Sequence, residues 1–158
     1  MKKVAYVSLT TTVAGAAFFA GLSLAAPKKA PTFTAFSELQ WKDVGGLQMA
    51  DLWGSHEKGP YGALLKLPAG FTSPMHTHPD DYQAVMIQGT SSHWLVGEDG
   101  SQAKKLTPGS YWMMPGKLPH VSSCAAGQDC IMLVMQKSKF GFTQVGDDGK
   151  ALPKSPAH

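Results

Sequence analysis

The sequence pattern after Leu47 constrains the fold most strongly, because short apolar runs alternate there with turn-forming residues. Each run is about 5 to 8 residues long, which is the length of a strand rather than of a helix. Glycine and proline mark the breaks, for example at residues 68–70, 97–100 and 107–109, because glycine tolerates turn geometry and proline fixes φ. No long helical period interrupts the pattern, and we therefore predict an all-β sandwich or barrel.

We predict a strand at each apolar run, and the order of the runs suggests a closed antiparallel fold. The predicted ranges are 47–53, 61–67, 73–78, 82–88, 90–96, 103–106, 110–114, 118–123, 131–137 and 140–144. Before them, the segment 33–44 carries Trp41 as an apolar anchor. It forms either a helix or an extended arm, and the sequence leaves both open.

One domain accounts for the chain. Its 158 residues are 43% hydrophobic and 16% charged, which is the composition of an ordinary globular protein. We expect a linker or arm at 26–46, the folded domain at 47–145 and a loose polar tail at 146–158. The formal net charge of +3 lies mostly near the chain ends and forms no basic stripe, which argues against nucleic-acid binding.

Residues 1–25 are predicted to be a secretory signal peptide. Lys2 and Lys3 precede an apolar run, and Ser23 and Ala25 place small side chains at the two positions that a signal peptidase reads. Cleavage after Ala25 is favoured, since a cut one residue later would put Pro27 behind the scissile bond. The alternative is an uncleaved membrane anchor, because the run approaches the ~20 residues that span a bilayer. We expect a periplasmic or secreted protein with no stable membrane partner after cleavage.

Cys124 and Cys130 are the two cysteines of the chain. An even number of cysteines in an exported protein favours a disulfide, and residues 125–129 between them include turn formers. A pair of free thiols is the alternative that the sequence leaves open.

The pair His76 and His78 is the motif that carries chemistry. The two residues are two positions apart, so in an extended strand both imidazoles project from the same face. Two neutral imidazoles there could hold a transition metal. Strand pairing could add His120, which would give three ligands and leave coordination positions open. The alternative is a polar barrel mouth with hydrogen-bonded histidines and no metal.

The residues around this pair resemble the first motif of the cupin superfamily. That motif runs Gly, five residues, His-x-His, three or four residues, Glu, six residues, Gly. Gly70, His76, His78 and Gly89 fit the spacing, whereas the slot of the glutamate holds Tyr82. The missing carboxylate would leave a set of neutral imidazoles with less charge compensation for a divalent cation.

A second stretch resembles the second cupin motif, which runs Gly, five residues, Pro-x-Gly, two residues, His, three residues, Asn. Gly109, Pro115 and His120 match in spacing, Gly116 lies one place early, and Cys124 stands where asparagine is usual. The resemblance covers about residues 47–136 and implies one cupin-type double-stranded β-helix, a jelly-roll barrel. It also implies a divalent transition metal (iron, manganese, nickel, copper or zinc) in the barrel mouth.

More narrowly, the sequence is similar to a group of secreted bacterial cupins of uncharacterised function at residues 52–54, 59–64, 67–71, 76–78 and 81–82. This similarity implies a fold and no reaction. Two hypotheses about function therefore stand. The first is a metal-dependent enzyme that acts on a small organic molecule by oxygen chemistry or carbonyl activation. The second is a non-catalytic module that binds or senses a small ligand or the metal, and a homodimer with cupin-style contacts is a further option.

Around the histidines, Tyr82 is the candidate catalytic residue. We expect it to line the pocket and to position a substrate or a proton, since ligation as a phenolate would require a pKa well below about 10. Gln83 could offer an amide oxygen if the register slipped by one residue, although alternation otherwise points it to the opposite face. His93 and Trp112 are further pocket candidates, and His93 is otherwise a surface or core histidine. His56 lies in a loop and is expected to be exposed.

Overall fold

The computed structural model describes residues 30–146 and 148–153. The predicted signal peptide and its cleavage site lie outside these residues. The chain divides into two units, Met1–Phe33 and Thr34–His158, and the description below concerns the second. Across the described ranges, no helix is long and apolar enough to cross a membrane.

Antiparallel strands dominate the described chain, together with two 3-10 turns at Phe36–Glu38 and Gly100–Gln102. The strands are β1 (Lys42–Asp43), β2 (Gln48–Gly54), β3 (Tyr61–Leu67), β4 (His76–Thr77), β5 (Tyr82–Gln88), β6 (Ser91–Leu95), β7 (Tyr111–Met114), β8 (His120–Cys124), β9 (Cys130–Gln136) and β10 (Thr143–Gln144). The all-β prediction is confirmed. The segment 33–44 is neither a full helix nor a full strand, since it contains the first 3-10 turn and the short β1.

Three predicted strands differ most from the structure, and one of them, 140–144, shrinks to β10. The range 73–78 shrinks to β4, because Pro74 and Pro79 flank it and proline has no amide hydrogen to offer a ladder. The range 103–106 holds no strand, and Leu106 forms only an isolated bridge to Ser91. The short β4 matters for the site, since two residues suffice to place the histidine pair.

The strands form two sheets, one in the order β1-β2-β3-β9-β5-β7 and one in the order β10-β4-β8-β6. In the larger sheet, β9 lies between β3 and β5, and Gln136 is the cross-strand partner of both Tyr61 and Tyr82. Strand alternation turns these three side chains inward together with Val134, which faces Ala63 and Ala84. All of them are buried between the sheets.

A disulfide joins Cys124 at the end of β8 to Cys130 at the start of β9. It resolves the alternative between a bridge and free thiols in favour of the bridge. The enclosed loop of residues 125–129 is short, and both cysteines are buried.

Replacing both Cys124 and Cys130 with serine is expected to lower the free energy of unfolding by about 2 kcal/mol, because the bridge removes loop-closure entropy from the unfolded chain. Urea denaturation with and without reductant measures the difference. Reduction of the wild-type protein serves as the matched control, since it opens the same loop without a change of sequence. An unchanged midpoint in both experiments would contradict this account.

The chain returns after β9 to cover the loop that follows β2. The Phe140 amide donates a hydrogen bond to the His56 carbonyl at 2.7 Å, and the Val145 amide donates to the Met75 carbonyl at 3.0 Å. His56 is 4% exposed, and its Nδ1 lies 2.8 Å from the Asp51 carboxylate. The expectation that His56 is exposed was therefore wrong, because the returning segment and Asp51 enclose it. Beyond β10, Val145 bridges to Ala151.

Candidate metal centre

Three histidines converge between the sheets. His76 in β4 and His120 in β8 are direct cross-strand partners, and His78 follows β4 on the same face as His76. One ring nitrogen of each histidine lies within 4.8 Å of those of the other two. The ring centroids of His76 are 4.9 Å from His78 and 4.3 Å from His120. The structure thus brings together the three residues that the sequence predicted as ligands, and this cluster could hold a metal ion.

Backbone carbonyls fix the orientation and tautomer of all three rings. Each Nδ1 lies at hydrogen-bond distance from a carbonyl oxygen, which can only accept, so each Nδ1 carries the hydrogen. The acceptors are those of Pro74 for His76 at 2.9 Å, Gly141 for His78 at 2.6 Å and Leu118 for His120 at 2.9 Å. The Nε2 atoms therefore keep their lone pairs, which is the arrangement seen when a histidine binds a metal through Nε2.

The environment of the His120 Nε2 atom is the strongest sign of a metal site. This atom is buried and has no hydrogen-bond partner within the part of the chain that the structure describes. A buried polar atom without a partner costs about 1–3 kcal/mol, so native structures keep few of them. A metal ion at the centre of the cluster would give the Nε2 lone pair a partner. The residues therefore fit the metal that the cupin motifs imply.

The electrostatics of the cluster keep its rings neutral. Burial, with a smaller effect of the neighbouring His120, lowers the pKa of His76 to about 3. Burial likewise lowers the pKa of His78 to about 4 and lowers the pKa of His120. Neutral imidazole is the form that binds metal, and it suits zinc, copper, iron and nickel.

Tyr82 stands beside the histidines in the slot where the cupin motif has a glutamate. Its ring packs edge-on against His78, with centroids 5.1 Å apart. Its hydroxyl accepts a hydrogen bond from Trp112 Nε1 at 3.4 Å, which leaves the hydroxyl hydrogen available to a ligand. Burial raises the pKa of Tyr82 to about 12, so the side chain is a phenol at neutral pH.

The other three predicted pocket residues lie at different places relative to the cavity. His93 lines the cavity and lies 2.9 Å through Nδ1 from the Ser122 hydroxyl. Trp112 packs against the His93 ring at 4.9 Å and supports the wall through Tyr82. Gln83 does not line this cavity, because strand alternation turns it outward into a groove on the opposite face of the sheet. The register-slip alternative for Gln83 is thereby excluded.

Sequence reasoning missed several residues of the cavity. Gln136 is buried, accepts a hydrogen bond from the Tyr61 hydroxyl at 3.1 Å and donates one to the Asp80 carbonyl at 2.9 Å. Its place in strand alternation after Met132 could have revealed it. Phe142 stacks on His76, with centroids 4.4 Å apart and planes 18° apart. No local pattern announces this contact, since Phe142 comes from the segment that returns after β9.

The wall of the cavity is mostly aromatic and aliphatic. Among the lining residues that the structure describes, none is Asp, Glu, Lys or Arg. Its apolar members include Leu65, Leu67, Phe71, Met132, Phe140 and Phe142. The cavity thus combines three nitrogen donors, the phenols of Tyr61 and Tyr82, and a mostly apolar lining without a charged side chain among the described residues, which is typical of a site for a small organic ligand.

Residues 33–143 match the family model described as "Domain of unknown function (DUF4437)". The chain belongs to this family. The DUF4437 chain also has the fold of solved cupins. An RmlC-like cupin protein from Ralstonia eutropha is 17% identical with a TM-score of 0.58, and the match covers 78% of this chain and 78% of that chain. The prediction of a cupin-type jelly-roll barrel is confirmed.

Two further solved structures share this fold with the DUF4437 chain. The polyketide cyclase RemF from Streptomyces resistomycificus is 15% identical with a TM-score of 0.60, covering 74% of this chain and 87% of that chain. KdgF from Halomonas sp. is 22% identical with a TM-score of 0.52, covering 69% and 94%. At these identities the likeness concerns the fold alone. No curated protein matches the sequence significantly.

Proposed function

We propose that His76, His78 and His120 hold one divalent transition metal and that the protein is an enzyme acting on a small organic molecule. The reaction class we favour is oxygen chemistry or carbonyl activation. The observation that carries the proposal is the buried Nε2 of His120, which lacks a partner within the described residues while all three Nδ1 atoms donate to carbonyls. A polyketide cyclase shares the fold, which agrees with an enzyme.

The roles of the residues follow from their contacts. A metal bound here would act as a Lewis acid toward a ligand oxygen or as a site for oxygen. The carbonyls of Pro74, Leu118 and Gly141 hold the imidazoles in place, so no reorientation is needed when a ligand enters. Tyr82 donates its hydroxyl hydrogen to the ligand oxygen, and Phe142 shields the stacked face of His76 from water.

Elemental analysis of the protein purified from its native compartment tests this function. We expect about one equivalent of a transition metal per chain, because the cluster offers one set of three donors. Adding oxygen or an enolizable carbonyl compound to the metal-loaded protein should then change its absorption spectrum and yield a product. Protein without stoichiometric metal, from a compartment that supplies it, would overturn the proposal.

A second candidate is a non-catalytic module that binds or senses a small ligand through the same cavity. Tyr82 in the glutamate slot favours it, since no carboxylate among the described lining residues could serve as a base. Product analysis discriminates the two. A spectral change that reverses when the ligand is removed, with no product formed, would favour the module over the enzyme.

We also propose that the protein is exported to the periplasm or beyond, with its signal peptide cleaved after Ala25. The disulfide between Cys124 and Cys130 supports this, because such bridges persist mainly in oxidising compartments. N-terminal sequencing of the exported protein is expected to begin at Ala26. An exported chain that still begins at Met1 would contradict cleavage and favour a membrane anchor.

A further inference from the structure

Among the residues that the structure describes, none gives the candidate metal centre a fixed negative charge. Its three donors are imidazoles, which bind a metal as neutral rings. Its nearest oxygen-bearing neighbour on β5 is the phenol of Tyr82, and no carboxylate lines the cavity within the part of the chain that the structure describes. A divalent cation in this position would keep its full double charge inside an apolar wall.

An uncompensated charge in such surroundings is costly, since burial removes the water that would otherwise stabilise it. Proteins offset this cost by pairing the buried charge with one of opposite sign. Because the described residues of the cavity wall supply no such charge, we expect the compensation to come with the ligand.

We propose that the cavity takes a small molecule with an apolar body and one acidic oxygen, an enol or a phenol, and binds it as the anion. This inference rests on the proposed function, because it requires a metal at His76, His78 and His120. On binding, the O–H bond of the ligand breaks, the electron pair stays on the oxygen, and the proton passes to the buffer. The resulting anion faces the metal and accepts a hydrogen bond from Tyr82.

The wall favours an enol or a phenol over a phosphate. A single charged oxygen is satisfied by one cation and one hydroxyl donor, which is what the histidine cluster and Tyr82 offer. A phosphate would bring further charged oxygens, and no Arg or Lys lines the described cavity to receive them. A flat, unsaturated body instead matches the aromatic rings of Phe71, Phe140 and Phe142.

Binding of 4-nitrophenol to the zinc-loaded full-length protein tests the inference, because the absorption of this probe distinguishes phenol from phenolate. At a pH below the pKa of the free probe, we expect the phenolate band to grow with bound probe up to one equivalent. The matched neutral control is 4-nitroanisole, which has the same body without an acidic oxygen and should bind at least about tenfold more weakly.

Two substitutions at one position sharpen the test. Tyr82→Glu introduces a fixed carboxylate beside the histidines and should weaken phenolate binding at least about tenfold while zinc stays bound. Tyr82→Phe removes only the hydroxyl and should keep the preference for 4-nitrophenol over 4-nitroanisole, with a somewhat lower affinity. If Tyr82→Glu fails to fold, the comparison of the two probes on the wild-type protein still decides the matter.

The outcomes separate the two proposals. Zinc binding combined with equal affinity for both probes, or with 4-nitrophenol bound as the neutral phenol, would overturn this inference and leave the metal site standing. Failure of the wild-type protein to bind zinc or any other transition metal would overturn both.

Discussion

Replacement of His120 by alanine is expected to lower the affinity for a divalent transition metal by at least about 100-fold, since even hydrogen-bond partners of ligating histidines are worth ~10–100-fold. The His120 side chain is fully buried between His76 and the core, and its Nε2 is the donor without another partner in the described structure. Without it, two imidazoles remain from one short strand. Two donors define neither a closed nor a selective site.

A competition titration against a metal indicator measures this loss, with circular dichroism confirming that the variant is folded. His56→Gln is the matched control, because His56 is also buried and hydrogen-bonded, yet it faces Asp51 and does not line the cavity. That variant should bind metal as the wild type does. Wild-type affinity in His120→Ala would show that these three histidines do not form one site.

The histidine pair could be predicted from local sequence because it depends on one short-range rule. Residues two apart in an extended segment share a face, and β4 needs only His76 and Thr77 to be extended for His78 to follow on the same side. Predicting His120 as the third ligand required more than local sequence, because its position depends on the pairing of β8 with β4 across a long stretch of chain. The second motif supplied that pairing through the resemblance to cupins.

The residues that escaped prediction depend on tertiary structure. His56 looks like a loop residue, and its burial results from contacts with Asp51 and with the segment that returns after β9. Phe142 has no periodic partner, yet it stacks on His76 because β10 pairs with β4. Local sequence carries no information about which distant segment will cover a loop, and such contacts therefore become visible only in the folded chain.

The acid stability of the metal-free protein should reflect the same buried histidines. Burial, together with neighbouring histidines, lowers the pKa of His76 to about 3 and that of His93 to about 3, and burial lowers the pKa of His78 to about 4. In the unfolded chain each pKa returns to its ordinary value of about 6.5. Between these values the unfolded state binds protons that the native state does not bind.

The free energy of unfolding should therefore be highest above about pH 6.5 and should fall as the pH drops toward about 4. Each histidine contributes a slope of ~1.4 kcal/mol per pH unit, so the three together give about 4 kcal/mol per unit near pH 5. Since a domain of this kind is stable by only about 5–15 kcal/mol, the metal-free protein should unfold within this window.

Urea denaturation at a series of pH values, in the presence of a chelator, measures this slope. His93→Gln removes one titrating ring without replacing a proposed ligand, so it should reduce the slope by about 1.4 kcal/mol per pH unit. Loading the protein with metal should shift the loss of stability to lower pH, because protons and metal compete for the same Nε2 lone pairs. A slope that is unchanged in His93→Gln would mean that this ring is not held neutral in the cavity, and its assignment to the apolar wall beside Ser122 would then fail.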